Sequence, residues 1–195
     1  MAKASQKRSV NFEDFDLAKF KTIKDETSVI YYDTGNPKVG KQTAKLKDKI
    51  HDDLVGRLGN LKLYFATRLG LVDVTDTIRD EYKDNPELLK RAIELHKEQV
   101  DRCSVTGIAF SGEKQLRGVQ ITGKVKVPGY GSFSLACPKI IFASDSLGYE
   151  TEVEELCEEV KKEVYNHTFK GKRAPKPSDN QKTIDDAIDE AENSK

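Results

Sequence analysis

Leu116-Arg117-Gly118-Val119-Gln120-Ile121-Thr122-Gly123-Lys124-Val125-Lys126-Val127-Pro128-Gly129-Tyr130-Gly131 decides the fold. Val119, Ile121, Gly123 and Val125 alternate with Gln120, Thr122, Lys124 and Lys126. Strict alternation puts the first set on one face of a strand and the second on the other. Pro128-Gly129-Tyr130-Gly131 is a turn signal, with Pro preset for one corner and Gly free to take a positive φ at the next. A strand therefore precedes it at residues 105–110 and another follows at residues 133–142, where Pro138 marks an edge position or a bulge. The expectation is an antiparallel meander of three strands or slightly more, packed by amphipathic helices: an α+β domain.

Outward from this region, Asn85-Pro86-Glu87 starts a helix. Asn caps it, Pro takes the first helical position and Glu sits in the first turn. Leu89, Ala92, Ile93, His96, Val100 and Cys103 then share one face, which predicts a helix over residues 86–102. A second helix is expected over residues 150–166, with Val153, Leu156, Cys157, Val160 and Val164 as its apolar stripe. Acids lead it, and Lys161 and Lys162 come late, an order that complements the helix dipole.

In the N-terminal half, Phe12, Phe15, Leu17 and Phe20 read as anchors on a short helix. Val29-Ile30-Tyr31-Tyr32 is β-prone and ends at the turn cluster Asp33-Thr34-Gly35-Asn36-Pro37. From Thr43 the spacing of Leu46, Ile50, Leu54 and Leu58 reads as a helix that stops at Gly59-Asn60. Residues 61–71 fit a helix or a strand equally.

The chain organises as a basic arm at residues 1–11, one domain at residues 12–170 and a charged tail at residues 171–195, which is expected to be disordered. The longest apolar runs, such as Ile140-Ile141-Phe142-Ala143, are far short of the ~20 residues of a membrane span. Residues 1–8 lack the following apolar stretch of a secretory signal. Cys103, Cys137 and Cys157 are odd in number and widely spaced, which argues against a disulfide framework and for a reducing, cytoplasmic setting. They read as buried hydrophobes.

Charge is informative by position. The 33 Lys+Arg and 33 Asp+Glu cancel. Yet residues 111–149 hold 5 basic against 2 acidic side chains, whereas residues 150–170 hold 3 against 7. A basic sheet beside an acidic helix points to a binding protein.

Three segments resemble chemical motifs. Gly35-Asn36-Pro37-Lys38-Val39-Gly40-Lys41-Gln42-Thr43 approximates the phosphate loop Gly-x4-Gly-Lys-Ser/Thr, but Gln42 stands where the hydroxyl belongs and Pro37 removes a donor. The plainer reading is a turn with Lys38, Lys41 and Lys45 in solvent. A second near-match, residues 107–114, reads as a hairpin turn at Ser111-Gly112-Glu113. His96 and Cys103 would share a helix face, but no close Cys pair completes a zinc site. His51 and His167 read as surface residues. No local signature joins a nucleophile to a base, so no enzyme, cofactor or metal is expected.

The reading with residue-level support is a non-enzymatic nucleic-acid-binding accessory protein, gripping single strands with Arg117, Lys124, Lys126, Lys139 and the turn-tip Tyr130. Cations track phosphates while aromatic faces stack on bases. The alternative is a protein-interaction or self-assembling subunit without nucleic acid. The acidic residues 185–192 would compete with phosphate for the basic face in the first reading and recruit a protein in the second.

Overall fold

In the computed structural model of the chain, the described residues are 10–73, 75–82, 84–144 and 146–173, with 75–78 described as backbone. They form one antiparallel sheet of seven strands with helices on one face. The strands are β1 (Phe15–Ile23), β2 (Glu26–Asp33), β3 (Lys41–Leu46), β4 (Cys103–Ser111), β5 (Gly118–Val127), β6 (Gly131–Ala136) and β7 (Ile140–Ile141). The spatial order is β3-β2-β1-β4-β5-β6, and β7 also pairs with β5. Two meanders thus lie side by side, joined where β1 meets β4. Between them in the chain come α1 (Asp52–Asn60), α2 (Lys62–Arg68), α3 (Thr75–Tyr82) and α4 (Pro86–Asp101); α5 (Glu150–Phe169) closes the domain.

The second meander is the one the alternation predicts. Its hairpin closes as a type II turn: Tyr130 N–H donates to Val127 O at 3.0 Å, Pro128 takes the first corner and Gly129 has φ +79°. Pro138 interrupts the last strand rather than ending it. β6 runs along Thr122–Val127 and β7 along Gly118–Val119, with Pro138 in the gap between them.

The first meander corrects two expectations. Phe15, Leu17 and Phe20 belong to a strand, not a helix. A bulge between Leu17 and Lys19 shifts the pairing by one residue, so Phe15, Leu17 and Phe20 all point inward and are almost fully buried. That extra residue breaks the two-residue period and mimics helical spacing. Likewise, residues 41–46 form a strand, and the helix starts at Asp52 rather than Thr43. Gln42, Ala44 and Leu46 turn inward while Lys41, Thr43 and Lys45 turn out, and the strand pairs with β2 along its whole length. His51 then caps the helix, its Nδ1 accepting from Asp53 N–H at 3.2 Å. Within residues 61–71 a helix forms over Lys62–Arg68, because Leu61, Tyr64 and Phe65 fall one turn apart against β4 and β5. The expected cap of α4 is present: Asn85 Oδ1 accepts from Leu88 N–H at 3.2 Å.

The core lies between the sheet's inner face and a layer of α1, α2 and α5. Phe15, Phe20, Phe65, Leu54, Leu58, Ile108, Ile121, Val153 and Val160 are buried there. Each large side chain contributes about 1.5–3 kcal/mol on leaving water. Phe15, Tyr31, Tyr165 and Phe169 form an aromatic cluster with ring centroids 5.2–5.7 Å apart. Val10, assigned to the arm on sequence, is buried in this core, and its carbonyl accepts from Tyr165 Oη–H at 2.8 Å. Residues 1–9 and 174–195 of the expected arm and tail lie outside the described residues. Among the described residues, no helix is long and apolar enough to cross a membrane.

His167 corrects another expectation: it is buried, not a surface residue. The chain folds back after Gly171 (φ +68°), and Lys172 O accepts from the His167 ring nitrogen Nδ1 at 2.9 Å. Lys172 pairs with Asp53 and Glu163, and Arg173 with Asp48, which holds the returning segment over α1 and α5.

Candidate functional site

The register settles which side chains share the helix-free face. Directly paired residues of an antiparallel sheet point the same way. Lys45, Ser28, Lys21, Gly107, Thr122 and Ala136 form one row across six strands. Thr43, Ile30, Lys19, Ala109 and Gln120 form the next. Lys41 belongs to the row of Tyr32, and Lys124 and Lys126 continue along β5. The face therefore presents Lys19, Lys21, Lys41, Lys45, Lys124 and Lys126 against two acids, Asp16 and Glu26. All six lysines are exposed, and among the described residues none of them is in an ion pair.

The face is also shaped. On β4 its outward residues are Ser104, Gly107, Ala109 and Ser111, all small. They floor a trough between β1 and β5, two strand spacings or about 10 Å apart; Gln120 and Thr122 stand across from Lys19 and Lys21, and Lys124 and Lys126 follow further along β5. Gly107 is required there: a Cβ would strike the Phe20 carbonyl and approach Thr122 Oγ1 to 2.9 Å. A depression of ≈ 370 Å³ opens along the trough between Lys21, Thr106, Thr122, Lys124 and Ser134. A second of ≈ 190 Å³ lies between Lys21, Ile23, Ser28, Lys45 and Lys47. Tyr32, 42% exposed, presents an aromatic ring on the same face.

The residues singled out on sequence separate into two groups. Lys124 and Lys126 are on the open face, and Tyr130 stands at the turn tip, 80% exposed. Arg117 and Lys139 are elsewhere. Arg117 lies over the Phe110 ring at 6.0 Å and reaches Glu158 of α5 at 3.9 Å, on the helix-covered side. Lys139 donates to Leu116 O at 2.6 Å and ties down the β4–β5 connection. Of the accompanying aromatics, Phe110 and Phe142 pack against each other and the core, whereas Phe133 points to the helix side and is 49% exposed. Sequence reasoning missed Lys19, Lys21, Lys41, Lys45 and Tyr32. The available signal was two-residue spacing in Lys19-x-Lys21 and four-residue spacing in Lys41-x3-Lys45. The first was masked by a helical reading of residues 12–20, the second by reading Lys41 in a turn and Lys45 in a helix from Thr43.

The phosphate-loop candidate does not have the geometry it needs. Gly40 (φ +65°) leads into β3, so no helix N-terminus follows to receive an anion. The second near-match spans the end of β4 and a β4–β5 connection longer than the expected turn: Ser111 pairs with Gly118, and residues 112–117 include a 3-10 turn at Lys114–Leu116. Among the described residues, no group of three His, Cys, Asp or Glu side chains is placed to hold a metal ion. Cys103, Cys137 and Cys157 are buried, and burial pushes each thiol above its ordinary pKa, away from nucleophilic character.

On the opposite side of the molecule, α5 presents an acidic surface. Glu154, Glu155, Glu158 and Glu159 of α5 border a surface hollow with Phe12 and Lys162. Glu150 is different. It is 3% exposed, and its carboxylate accepts Leu147 N–H at 2.8 Å and Tyr149 N–H at 3.0 Å. Burial alone would raise its pKa, but the backbone N–H groups of residues 147–150 together outweigh it and hold the carboxyl below its ordinary value. It is a helix-start fixture.

Comparison with protein-family models, curated proteins and solved structures gives no match, so the functional reading rests on this geometry.

Proposed function

We propose that the helix-free face of the sheet binds a single-stranded nucleic acid, and that the protein is a non-enzymatic accessory factor of nucleic-acid metabolism. The observation that supports this most is the trough: Lys19 and Lys21 on the β1 wall and Lys124 and Lys126 further along the β5 wall, over a floor of Ser104, Gly107 and Ala109. Lysine ammonium groups without acidic partners hold phosphates. A floor without large side chains lets a sugar–phosphate chain lie close to the sheet. Tyr32, and Tyr130 at the rim, offer rings on which bases stack at about 1–3 kcal/mol per base. A flat sheet with lysines spaced over two meanders suits a flexible single strand, which can follow the twist of the strands, better than a rigid duplex.

Zero net charge is compatible with this reading, because the open face holds six lysines against two acids while α5 is rich in acids. Fluorescence anisotropy with labelled single-stranded and duplex oligonucleotides tests it. The expected result is salt-sensitive binding that favours the single strand and weakens when Lys21 and Lys124 are both replaced by Ala. No binding of either oligonucleotide at about 50 mM salt, where phosphate contacts are strong, would overturn it. A second reading, assembly with another protein chain, is favoured by one edge of the sheet.

A further inference from the structure

The two edges of the sheet are built differently. At one end, β3 carries Lys41 and Lys45, charges of the kind that keep an edge strand from pairing. At the other end, β6 reads Gly131-Ser132-Phe133-Ser134-Leu135-Ala136: no charge, no proline, and all six residues exposed. Its pairing with β5 is regular, with no bulge to twist it away. Among the described residues nothing pairs with its outer side.

The direction of its free backbone groups follows from the ladder. Cys137 N–H donates to Ile121 O, and Lys126 N–H donates away from β6, to Arg102 O on the β4 side. Hydrogen-bonding direction alternates along a strand. Gly131, Phe133 and Leu135 therefore face β5, while the N–H and C=O groups of Ser132, Ser134 and Ala136 face outward.

We propose that β6 pairs antiparallel with β6 of a second copy of this chain, about a two-fold axis normal to the sheet that passes midway between the two Ser134 residues. In that register Ser134 faces Ser134 of the second copy, and Ser132 faces Ala136 on both sides of the axis. Every outward backbone group of the strand is then satisfied. Phe133 falls opposite Leu135 twice, in the non-hydrogen-bonded pairs where side chains approach most closely. These are the strand's two large apolar side chains, 49% and 43% exposed. A one-residue slip either way would place a serine or alanine against them on the wrong face. No charge opposes the pairing. The two copies of Lys124 would be three strand spacings apart, about 14 Å, which exceeds the ~8 Å screening length at physiological salt. Such an axis keeps both lysine faces on the same side, so the dimer presents one continuous basic sheet. The dimer does not depend on what that face binds.

The contact is small against the roughly 1,600 Å² of a standard complex, so micromolar association is expected. Sedimentation velocity of the full chain over about 1 to 300 µM tests it across that range. The expected result is a monomer–dimer equilibrium. Ser134→Lys places like charges on the axis, and Ser134→Pro removes an outward donor that the β5 ladder does not use; each should weaken the dimer about tenfold or more, with far-UV circular dichroism unchanged. If the proline variant unfolds, the lysine variant decides. A spin label on Ser134→Cys should show dipolar broadening that grows with concentration, because the paired Cα atoms lie about 5.5 Å apart. A chain monomeric throughout, a Ser134→Lys dimer as tight as wild type, or a dimer without broadening at residue 134 would each overturn the proposal.

Discussion

Removing Lys21 and Lys124 together should change how binding responds to salt more than it changes structure. Both are exposed, both are free of ion pairs among the described residues, and they stand on opposite walls of the trough. Each phosphate neutralised on a single strand contributes about 0.7 to the slope of log affinity against log salt. Six engaged lysines give a slope of about −4, so raising salt from about 50 to 200 mM should weaken binding about 300-fold. Without Lys21 and Lys124 the slope becomes about −3 and the same salt step costs about 50-fold. The assay is anisotropy of a labelled single strand over a salt series. Arg117→Ala with Lys139→Ala is the control, because those side chains contact Glu158 and Leu116 O away from the face. Equal slopes for wild type and the Lys21/Lys124 variant would refute the trough as the binding surface. So would a loss of slope in the Arg117/Lys139 variant alone.

Three further outcomes are expected. Glu150→Ala strands two backbone donors and should cost about 1–3 kcal/mol in urea unfolding, with the melting temperature lowered. Because the folded carboxyl is held below its unfolded value, its contribution is complete above that value and is lost as pH falls through the lowered one, so the gap between wild type and Glu150→Ala should narrow in acid. Gly107→Ala drives a Cβ into the backbone between β1 and β4 and should cost about 1–3 kcal/mol as overpacking, read as a lower denaturation midpoint. Burial lowers the His167 pKa, so the unfolded chain takes up its proton first; stability should fall as pH drops below about 6.5, and His167→Gln should flatten that part of the profile.

How much was legible depended on how regular each segment is. The second meander was read correctly because residues 119–126 alternate without a break and the Pro128-Gly129 turn admits few conformations. The cap at Asn85 and the apolar stripe of α5 were legible for the same reason: each is a local pattern with one favoured solution. The first meander was misread at its bulge, where one added residue between Leu17 and Lys19 converts an alternating strand into apparent helical spacing. Lys41, Thr43 and Lys45 alternate as a strand should, but Leu46, Ile50 and Leu54 follow at four-residue intervals and pull the reading toward a helix. The cost of these errors was functional. Four of the six lysines on the open face come from the segments that were misread.

The class of fold, the two faces of β5 and the uneven charge along the chain are legible locally, because they follow from period, turn chemistry and composition along a short stretch. Tertiary structure decided which charges act together. Arg117 and Lys124 are near neighbours in the chain yet lie on opposite sides of the sheet, while Lys45 and Lys21 share a row through Ser28. Backbone pairing between distant segments sets that register, and no local pattern encodes it. The separation of the basic face from the acidic helix arises in the same way: packing α5 on the apolar face leaves the six lysines on the other with two acids, Asp16 and Glu26.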